Sequence, residues 1–193
     1  MDQFDEIKSS HPDSILFFRM GDFYELFHDD AEIASEVLGL TLTSRDKKSS
    51  EPTRMAGFPW HALEENIRGM LKAGHKVCVA EQEDELREGA KILERAVSRI
   101  YTPGSLYEES LLGTDERSLL IAICLASDSL GMGVVDASTG QAWASTCHGA
   151  DRFSKALDEV LRWNPSEIVI SPTDAEDNTL CAMFSHLDGV TIS

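Results

Sequence analysis

The sequence has few basic residues. It contains 17 lysines and arginines against 34 aspartates and glutamates in 193 residues, a formal net charge of −17 at pH 7. A nucleic-acid duplex is held largely by basic side chains that neutralise its phosphates, so this chain cannot bind one over its whole surface. Any such contact is expected to be confined to a small patch, with other parts of a larger protein holding the backbone.

Long apolar runs are also missing. None approaches the length of a helix that spans a bilayer, and no basic segment followed by an apolar one opens the chain as a secretory signal would. We therefore expect a cytoplasmic protein with no membrane partner.

Cysteine is scarce and dispersed. The four cysteines form no C-x-x-C pair, and the six histidines show no metal-ligand spacing. We expect buried, reduced thiols, and neither a disulfide framework nor a zinc site. The cysteines are Cys78, Cys124, Cys147 and Cys181. A G-x-x-x-x-G-K-[ST] phosphate loop is also missing, so we expect this chain to use no cofactor and to hydrolyse no ATP.

The first half of the chain mixes helical and extended patterns, which is typical of an α/β domain. The predicted segments are, in order, a helix, an extended run, a strand, a helix and two strands: residues 2–10, 14–27, 40–44, 63–71, 76–80 and 93–101. Gly21 interrupts the extended run and predicts a bulge or a tight turn. Another helix is predicted between a cap at Asp29 or Asp30 and a stop at Gly39.

The second half predicts three strands of an antiparallel meander, followed by a helix, a strand, a helix and a strand. The segments are residues 119–125, 131–136 and 141–146, a helix capped by Asp151, and residues 167–170, 174–187 and 190–192. This is the element order of an RNase-H-like sheet. We predict a two-domain α/β chain, with domains at residues 1–105 and 119–193 and a linker at residues 106–118.

The most informative segment is residues 19–27, Arg-Met-Gly-Asp-Phe-Tyr-Glu-Leu-Phe. Since side chains alternate along a strand, Phe23, Glu25 and Phe27 are expected on one face and Tyr24 on the other. An aromatic ring and a carboxylate would then project together. By general burial preferences alone, Phe23 would more often be a core aromatic and Glu25 a solvated strand residue.

This segment resembles the Phe-x-Glu motif of the MutS family of mismatch-recognition proteins, and other stretches match that family in the same order. Residues 55–62, Met-Ala-Gly-Phe-Pro-Trp-His-Ala, are similar to its Met-Ala-Gly-x-Pro-aromatic-His-Ala stretch. The remaining matches are Met1–Phe4 with Ile7-Lys8, Thr41–Thr43 with Arg45, Glu81-Gln82, Arg99-Ile100 and Thr102–Gly104. The resemblance is close over residues 1–105 and continues beyond them mainly in element order.

The resemblance implies a mixed-sheet mismatch-recognition domain followed by an RNase-H-like connector domain that is shortened at its C-terminus. Phe23 would insert from the minor groove and stack on a mispaired base, and Glu25 would hydrogen-bond that base. Wedging a side chain between base steps costs on the order of a few kcal/mol, and less where a mispair has already weakened the stack. Discrimination would then come from DNA deformability and not from reading a sequence.

The resemblance also implies partners. These are mismatched duplex DNA, and a MutL-type repair partner that binds through the connector domain. The full-length family is a homodimer that uses ATP and magnesium in an ATPase domain, which we do not find in this sequence.

The loop at residues 45–54 is locally basic in an acidic chain. Its basic side chains are Arg45, Lys47, Lys48 and Arg54. They could contact phosphates, which positions a protein on DNA without reading bases; an ordinary solvated loop is the equally weighted alternative. The family usually has an apolar residue at position 54, so the loop can differ in shape. Trp60 replaces a common tyrosine and is expected to keep its role.

Two rival functions come from other classes. Asp136 and Glu167 lie where RNase-H-like nucleases hold magnesium, but such a site needs several converging carboxylates and the sequence offers no convincing third. The other rival is a protein-interaction module, in which the acidic connector docks repair partners and the first domain has lost DNA binding. Intact Phe23 and Glu25 favour mismatch recognition over this second rival.

Overall fold

A computed structural model of the chain describes residues 2–45, 52–82, 94–105, 118–185, 187 and 189–193. They form two units, Met1–Tyr101 and Thr102–Ser193, each built on its own mixed β-sheet, so the predicted mixed α/β class is confirmed. Most of the predicted linker and two predicted site residues, Lys47 and Lys48, lie outside the described residues.

The first unit is a six-stranded sheet with helices packed on it. Its elements are α1 (Asp2–Ser10), β1 (Ser14–Met20), β2 (Phe23–Phe27), α2 (His28–Leu38), β3 (Thr43–Ser44), β4 (Arg54–Pro59), a 3₁₀ turn (Trp60–Ala62), α3 (Leu63–Lys72), β5 (Lys76–Gln82) and β6 (Arg95–Tyr101). The strand order is β3-β4-β2-β1-β5-β6. The β1–β5 pair is parallel and the other pairs are antiparallel.

Aromatic side chains bury both faces of this sheet around β1 and β2. On one face, Phe4 of α1 packs edge-on against Phe18 and Phe27, with ring centroids 5.7 and 5.0 Å away. On the other face, the ring of Phe58 lies 4.9 Å from that of Phe17. Such pairs stabilise a core beyond the apolar area they bury, so the two strands are held from both sides.

Two predicted glycine signals are confirmed. Gly21 has a φ of 61° and forms the tight turn that joins β1 and β2 into an antiparallel hairpin. Gly39 has a φ of 69° and ends α2. Both lie in the left-handed region, which glycine enters without the steric penalty of a Cβ atom.

The predicted aspartate cap of α2 is wrong. The helix begins at His28, and the residue before it makes no side-chain capping bond. Asp30 is buried instead, and its carboxylate accepts hydrogen bonds from Lys8 Nζ at 2.8 Å and from the Leu16 N–H at 2.9 Å. A buried carboxylate requires such partners, so Asp30 ties α2 to α1 and β1.

The segment between α2 and α3 also differs from the prediction. The strand predicted at residues 40–44 is limited to its last two residues, and Arg54 begins β4 where a loop was predicted. The sequence pattern did not reveal β4 because Gly57 and Pro59 are residues that normally weaken or exclude a strand.

The second unit is a five-stranded sheet in the order β11-β10-β7-β8-β9. Its elements are β7 (Leu119–Leu125), β8 (Ser129–Asp136), β9 (Gln141–His148), α4 (Arg152–Trp163), β10 (Glu167–Ile170), a 3₁₀ turn (Asp174–Glu176), α5 (Asn178–Phe184) and β11 (Thr191–Ile192). The meander β7–β8–β9 is antiparallel, and β10 is parallel to β7 and to β11. The predicted order of elements is therefore confirmed.

The helices of this unit need two corrections. The helix predicted at residues 174–187 is a 3₁₀ turn followed by the shorter α5, because Asp177 caps a new helix and accepts the N–H groups of the second and third residues after it. The predicted cap of α4, Asp151, makes no capping bond, and its carboxylate lies 3.0 Å from Lys155 Nζ.

The thiols are free, but only part of the expectation about their burial is confirmed. Cys78 is fully buried, and burial raises the pKa of its thiol to about 11. Cys147 is half-buried. Cys124 and Cys181 are exposed, contrary to the prediction, because their strand and helix positions face away from the core.

Candidate nucleic-acid interface

Over its first four residues, strand β2 alternates between exposed or partly exposed and buried side chains. Phe23 is 48% exposed, whereas the next residue, Tyr24, is 1% exposed. Glu25 is partly exposed on the same face as Phe23. Phe27 shares that face but is buried under Phe4 of α1. The hairpin therefore places an aromatic ring and a carboxylate side by side at one end of the sheet, and Phe23 is not a core aromatic.

The neighbours of these two side chains come from β1 and β4. Phe23 lies directly opposite Met20 on one side and Pro59 on the other. Glu25 lies opposite Phe18 and Gly57 in the same way. Direct partners in a ladder share a face. The partly exposed members of this set form what we call the hairpin patch: Met20, Phe23, Glu25, Gly57 and Pro59.

Gly57 lets β4 approach β2 closely beside Glu25. A Cβ atom at this position would lie 2.9 Å from the Tyr24 carbonyl oxygen and 3.8 Å from Glu25 Cγ. The first distance is shorter than van der Waals contact allows, so any larger residue would displace backbone. The sequence offered Gly57 as part of the family stretch, but its pairing with Glu25 follows only from the register.

The turn of the hairpin is held by Arg19 and Trp60. Arg19 Nε donates to the Gly21 carbonyl oxygen, and the Trp60 N–H donates to the Asp22 carbonyl oxygen at 2.9 Å. The Arg19 guanidinium also lies over two rings, 5.2 Å from the centroid of Tyr24 and 5.6 Å from that of Trp60. The carbonyl groups of both residues before Phe23, Gly21 and Asp22, are thus held by hydrogen bonds from Arg19 at the end of β1 and from the backbone of Trp60 after β4.

Below the turn, Tyr24 is tied to β5. Its hydroxyl donates to the carboxylate of Glu81. Burial raises the pKa of Tyr24 to about 12; the Glu81 carboxylate adds to the rise and the nearby Arg19 charge opposes it. The buried neighbour of Phe23 is therefore a neutral donor that cross-links β2 to β5.

Arg95 is a cation of this region that sequence reasoning did not single out. Its guanidinium lies 5.5 Å over the ring of Phe18, the direct partner of Glu25. Its Nε donates to the Arg19 carbonyl oxygen at 3.2 Å, across 76 residues of sequence. The sequence placed Arg95 on a predicted strand, but no local signal could show which strand it reaches.

The predicted basic loop is only partly described. Arg45 lies 5.6 Å over the ring of Phe27, and its N–H donates to the Thr53 carbonyl oxygen. Lys47 and Lys48 are outside the described residues. The structure therefore does not test whether these lysines lie near the hairpin patch.

Arg54 is engaged by acidic side chains. Its guanidinium lies 2.5 Å from Glu32 and 3.0 Å from Asp29, and these carboxylates raise the pKa of the arginine. It occupies the opposite end of β4 from Pro59, which at about 3.4 Å per residue is roughly 17 Å along the strand. Arg54 is thus not brought to the hairpin patch.

The two carboxylates considered for magnesium accept hydrogen bonds from other residues of the chain. Asp136 is 3% exposed, and its Oδ1 accepts the Ser138 hydroxyl at 2.6 Å and the Ser138 N–H at 3.0 Å. Glu167 accepts the Gly104 N–H at 3.0 Å. Within the described ranges, no three His, Cys, Asp or Glu side chains are grouped to hold a metal ion. Nor does any described helix have the length and apolarity to cross a membrane.

The hairpin patch lies within the part of the chain that matches a known family. The model of that family, described as MutS domain I, matches residues 1–110. The chain belongs to the MutS family. The patch, the turn held by Arg19 and Trp60, and the Tyr24–Glu81 link therefore all lie in the part of the chain that this family model matches.

Curated MutS relatives extend the similarity into the second unit. The DNA mismatch repair protein MutS of Desulforamulus reducens is 40% identical over 173 residues, which are 89% of this chain and 20% of the relative. That of Caldanaerobacter subterraneus is 34% identical over 186 residues, 96% of this chain and 21% of the relative. That of Streptococcus suis is 36% identical over 197 residues, 99% of this chain and 23% of the relative. The chain thus spans about a fifth of the length of these relatives.

Proposed function

We propose that the chain recognises mispaired or unpaired bases in duplex DNA by inserting the ring of Phe23 between base steps, and so serves the first step of DNA mismatch repair. The observation that carries this proposal is the half-exposed Phe23 beside Glu25 on a braced hairpin of a MutS domain I.

The discrimination has a simple physical origin. Inserting a wedge unstacks a base step, which costs on the order of a few kcal/mol in intact duplex. A mispaired base has already lost part of its pairing and stacking, so the same wedge meets less resistance there. Phe23 is exposed before binding, and covering its ring with bases removes apolar surface from water, which stabilises the inserted state.

Glu25 sharpens the discrimination. A carboxylate beside DNA is repelled by phosphates, which weakens binding to every duplex. Glu25 recovers this loss only when it hydrogen-bonds a base that has been displaced from its pair. The repulsion therefore acts mainly against intact duplex.

The proposal also accounts for the acidic composition. Phosphate contact is limited to a few cations, and for these we propose Arg45, Lys47 and Lys48 of the loop and Arg95 of β6. We predicted Arg54 as well, although two carboxylates already engage its guanidinium. With so few phosphate contacts, affinity should be low and should fall with added salt.

Partners and further chemistry of longer MutS proteins are proposals for this chain. We propose that the second unit acts as a connector that docks a MutL-type partner. Dimerisation, ATP and magnesium would belong to further domains. This chain would bind DNA without cleaving it, so adding magnesium to labelled duplex should give no products.

The test is a competition between matched duplexes. The chain is titrated at low ionic strength into labelled oligonucleotides that differ only in one mispair or one unpaired base, and the two Kd values are compared. We expect tighter binding to the imperfect duplex. Equal affinities, or no measurable complex with either duplex, would reject the proposal and favour a protein-interaction module.

A further inference from the structure

We propose that Arg19 and Trp60 are positioning residues for the wedge: the Arg19 guanidinium, held between the Gly21 carbonyl and the Tyr24 and Trp60 rings, keeps the hairpin turn rigid so that Phe23 projects in one direction. This inference rests on the proposed function, since it assigns a role to residues that do not themselves touch a base.

The turn needs contacts from other residues because its own backbone can adopt several conformations. Gly21 has a φ of 61°, a conformation that glycine exchanges readily with others. Asp22 is exposed and connects Gly21 directly to Phe23. Without further contacts, rotation at these two residues would change the direction of the Phe23 ring.

Trp60 holds the turn from the side of β4. Phe23 pairs with Pro59 at the end of that strand, and the next residue, Trp60, donates its backbone N–H to the Asp22 carbonyl oxygen at 2.9 Å. The Trp60 ring is 53% exposed, so it contributes little to the core. It contacts the Arg19 guanidinium and the His61 ring, which is consistent with a role at the turn.

Arg19 links the two sides of the turn. Its Nε donates to the Gly21 carbonyl oxygen, while the flat guanidinium lies over Tyr24 and Trp60. Tyr24 is itself fixed by the hydroxyl bond to Glu81 on β5. A planar, delocalised cation can stack on rings and donate in its own plane at the same time, which a lysine ammonium cannot do.

A fixed turn makes the insertion selective. A ring that is already oriented loses little conformational freedom when it enters the stack. A mobile ring would lose that freedom only on insertion, so loosening the turn should weaken binding to mispaired duplex and leave binding to intact duplex almost unchanged. The contacts of Arg19 and Trp60 therefore affect the ratio between the affinities for mispaired and intact duplex.

The experiment uses Arg19→Lys, Trp60→Ala and Trp60→Tyr in the complete chain. Arg152→Lys in the second unit is the matched control, because Arg152 also donates to a glycine carbonyl, at 3.2 Å from Gly149, and lies over a ring, 4.8 Å from that of Phe153. Kd ratios for intact against mispaired duplex are measured for each variant and repeated in a Phe23→Ala background. Amide hydrogen exchange at Trp60 reports the state of the turn without DNA.

We expect Arg19→Lys and Trp60→Ala to lower the Kd ratio roughly 3- to 10-fold: the first loses the cation–π contacts and the planar donor to Gly21, and the second loses only the cation–π contact, because its backbone N–H remains. Trp60→Tyr and Arg152→Lys should keep the ratio. Exchange of the Trp60 amide should become roughly tenfold faster in Arg19→Lys, because the turn opens locally. In the Phe23→Ala background, neither Arg19→Lys nor Trp60→Ala should change the ratio further.

Each contrary result is distinct. If the unmodified chain prefers mispaired duplex and Arg19→Lys prefers it equally, or if exchange at Trp60 is unchanged, the inference is overturned and the proposed function stands. If Arg19→Lys weakens binding to both duplexes by the same factor with and without Phe23, Arg19 is a phosphate contact and the inference is again overturned. If the unmodified chain shows no preference, the proposed function fails and the inference falls with it.

Discussion

Glu25 on β2 lies directly opposite Gly57 on β4, where a Cβ atom would meet the Tyr24 carbonyl oxygen at 2.9 Å and Glu25 Cγ at 3.8 Å. The pair comes from segments that are separated in sequence, and neither residue alone suggests the other. Together they mark the point where β4 comes closest to β2 beside the Glu25 carboxylate.

Gly57→Ala should damage both the fold and the patch. The new Cβ atom would lie 2.9 Å from the Tyr24 carbonyl oxygen, so β2 and β4 must separate locally. We expect a loss of roughly 1–3 kcal/mol in the free energy of unfolding, the usual range for overpacking. Urea denaturation followed by circular dichroism measures this, and the preference for mispaired duplex should fall in parallel.

Gly133→Ala on β8 is the control for this substitution. Gly133 is also a strand glycine, but a Cβ atom there meets nothing within 4 Å. It should be neutral or slightly stabilising, since alanine restricts the unfolded chain more than glycine. Equal losses at both positions would show that the close approach at Gly57 is not the cause.

Glu25 should weaken binding to perfect duplex and increase the preference for mispaired duplex. Glu25→Ala removes the repulsion between the carboxylate and DNA phosphates, so binding to perfect duplex should tighten. It also removes the hydrogen bond to a displaced base, worth about 1 kcal/mol, so preference for the mispaired duplex should decrease. Fluorescence anisotropy titrations with both duplexes measure this, and weaker binding to perfect duplex would contradict the assigned role.

Asp136 should stabilise the second unit in a pH-dependent way. Hydrogen bonds from Ser138, chiefly from its hydroxyl, hold the pKa of this carboxyl below its usual value. Because the folded pKa is depressed, the stabilisation is fully present above the ordinary aspartate pKa and is lost as pH falls through the folded pKa. Asp136→Ala should cost about 1–3 kcal/mol at neutral pH and less in acid. Urea midpoints at several pH values test this, and a pH-independent loss would refute it.

Tyr24 should lose its proton only at high pH, and this ionisation should destabilise the fold. Its folded pKa is raised from 10.0 to about 12, so its contribution is complete below the unfolded value and is lost as pH rises through the folded one. An absorbance titration of tyrosinate should show a late step that disappears in Tyr24→Phe. Tyr101→Phe is the control and should leave that step in place.

Local signals predicted the features of the hairpin well. Gly21 marked the turn, and strict alternation placed Phe23 and Glu25 on one face, because both depend on neighbouring residues only. The element order of the second unit followed from strand and helix periods in the same way. These parts of the candidate site could be read before any tertiary contact was known.

Features set by distant contacts were not predictable. Asp30 has the composition and position of a helix cap, but Lys8 and the Leu16 amide, 22 and 14 residues away, pull it into the interior. The glycine and proline of β4 gave no strand signal, and its pairing with β2 and β3 makes it a strand. Arg95 reaches Phe18 and the Arg19 carbonyl oxygen through the β5–β6 register, which sequence periodicity does not encode.

The central claim is that the Phe23 ring senses how easily a base pair opens, and the Phe23→Ala variant tests it most directly. The ratio of Kd values for perfect and mispaired duplex is measured for the unmodified chain, for Phe23→Ala, and for Leu161→Ala, an exposed apolar control on α4. The account predicts a ratio near one for Phe23→Ala, with the free energy of unfolding changed by less than about 1 kcal/mol because the ring is 48% exposed, and an unchanged ratio for Leu161→Ala. A Phe23→Ala chain that keeps the full preference for mispaired duplex would contradict it.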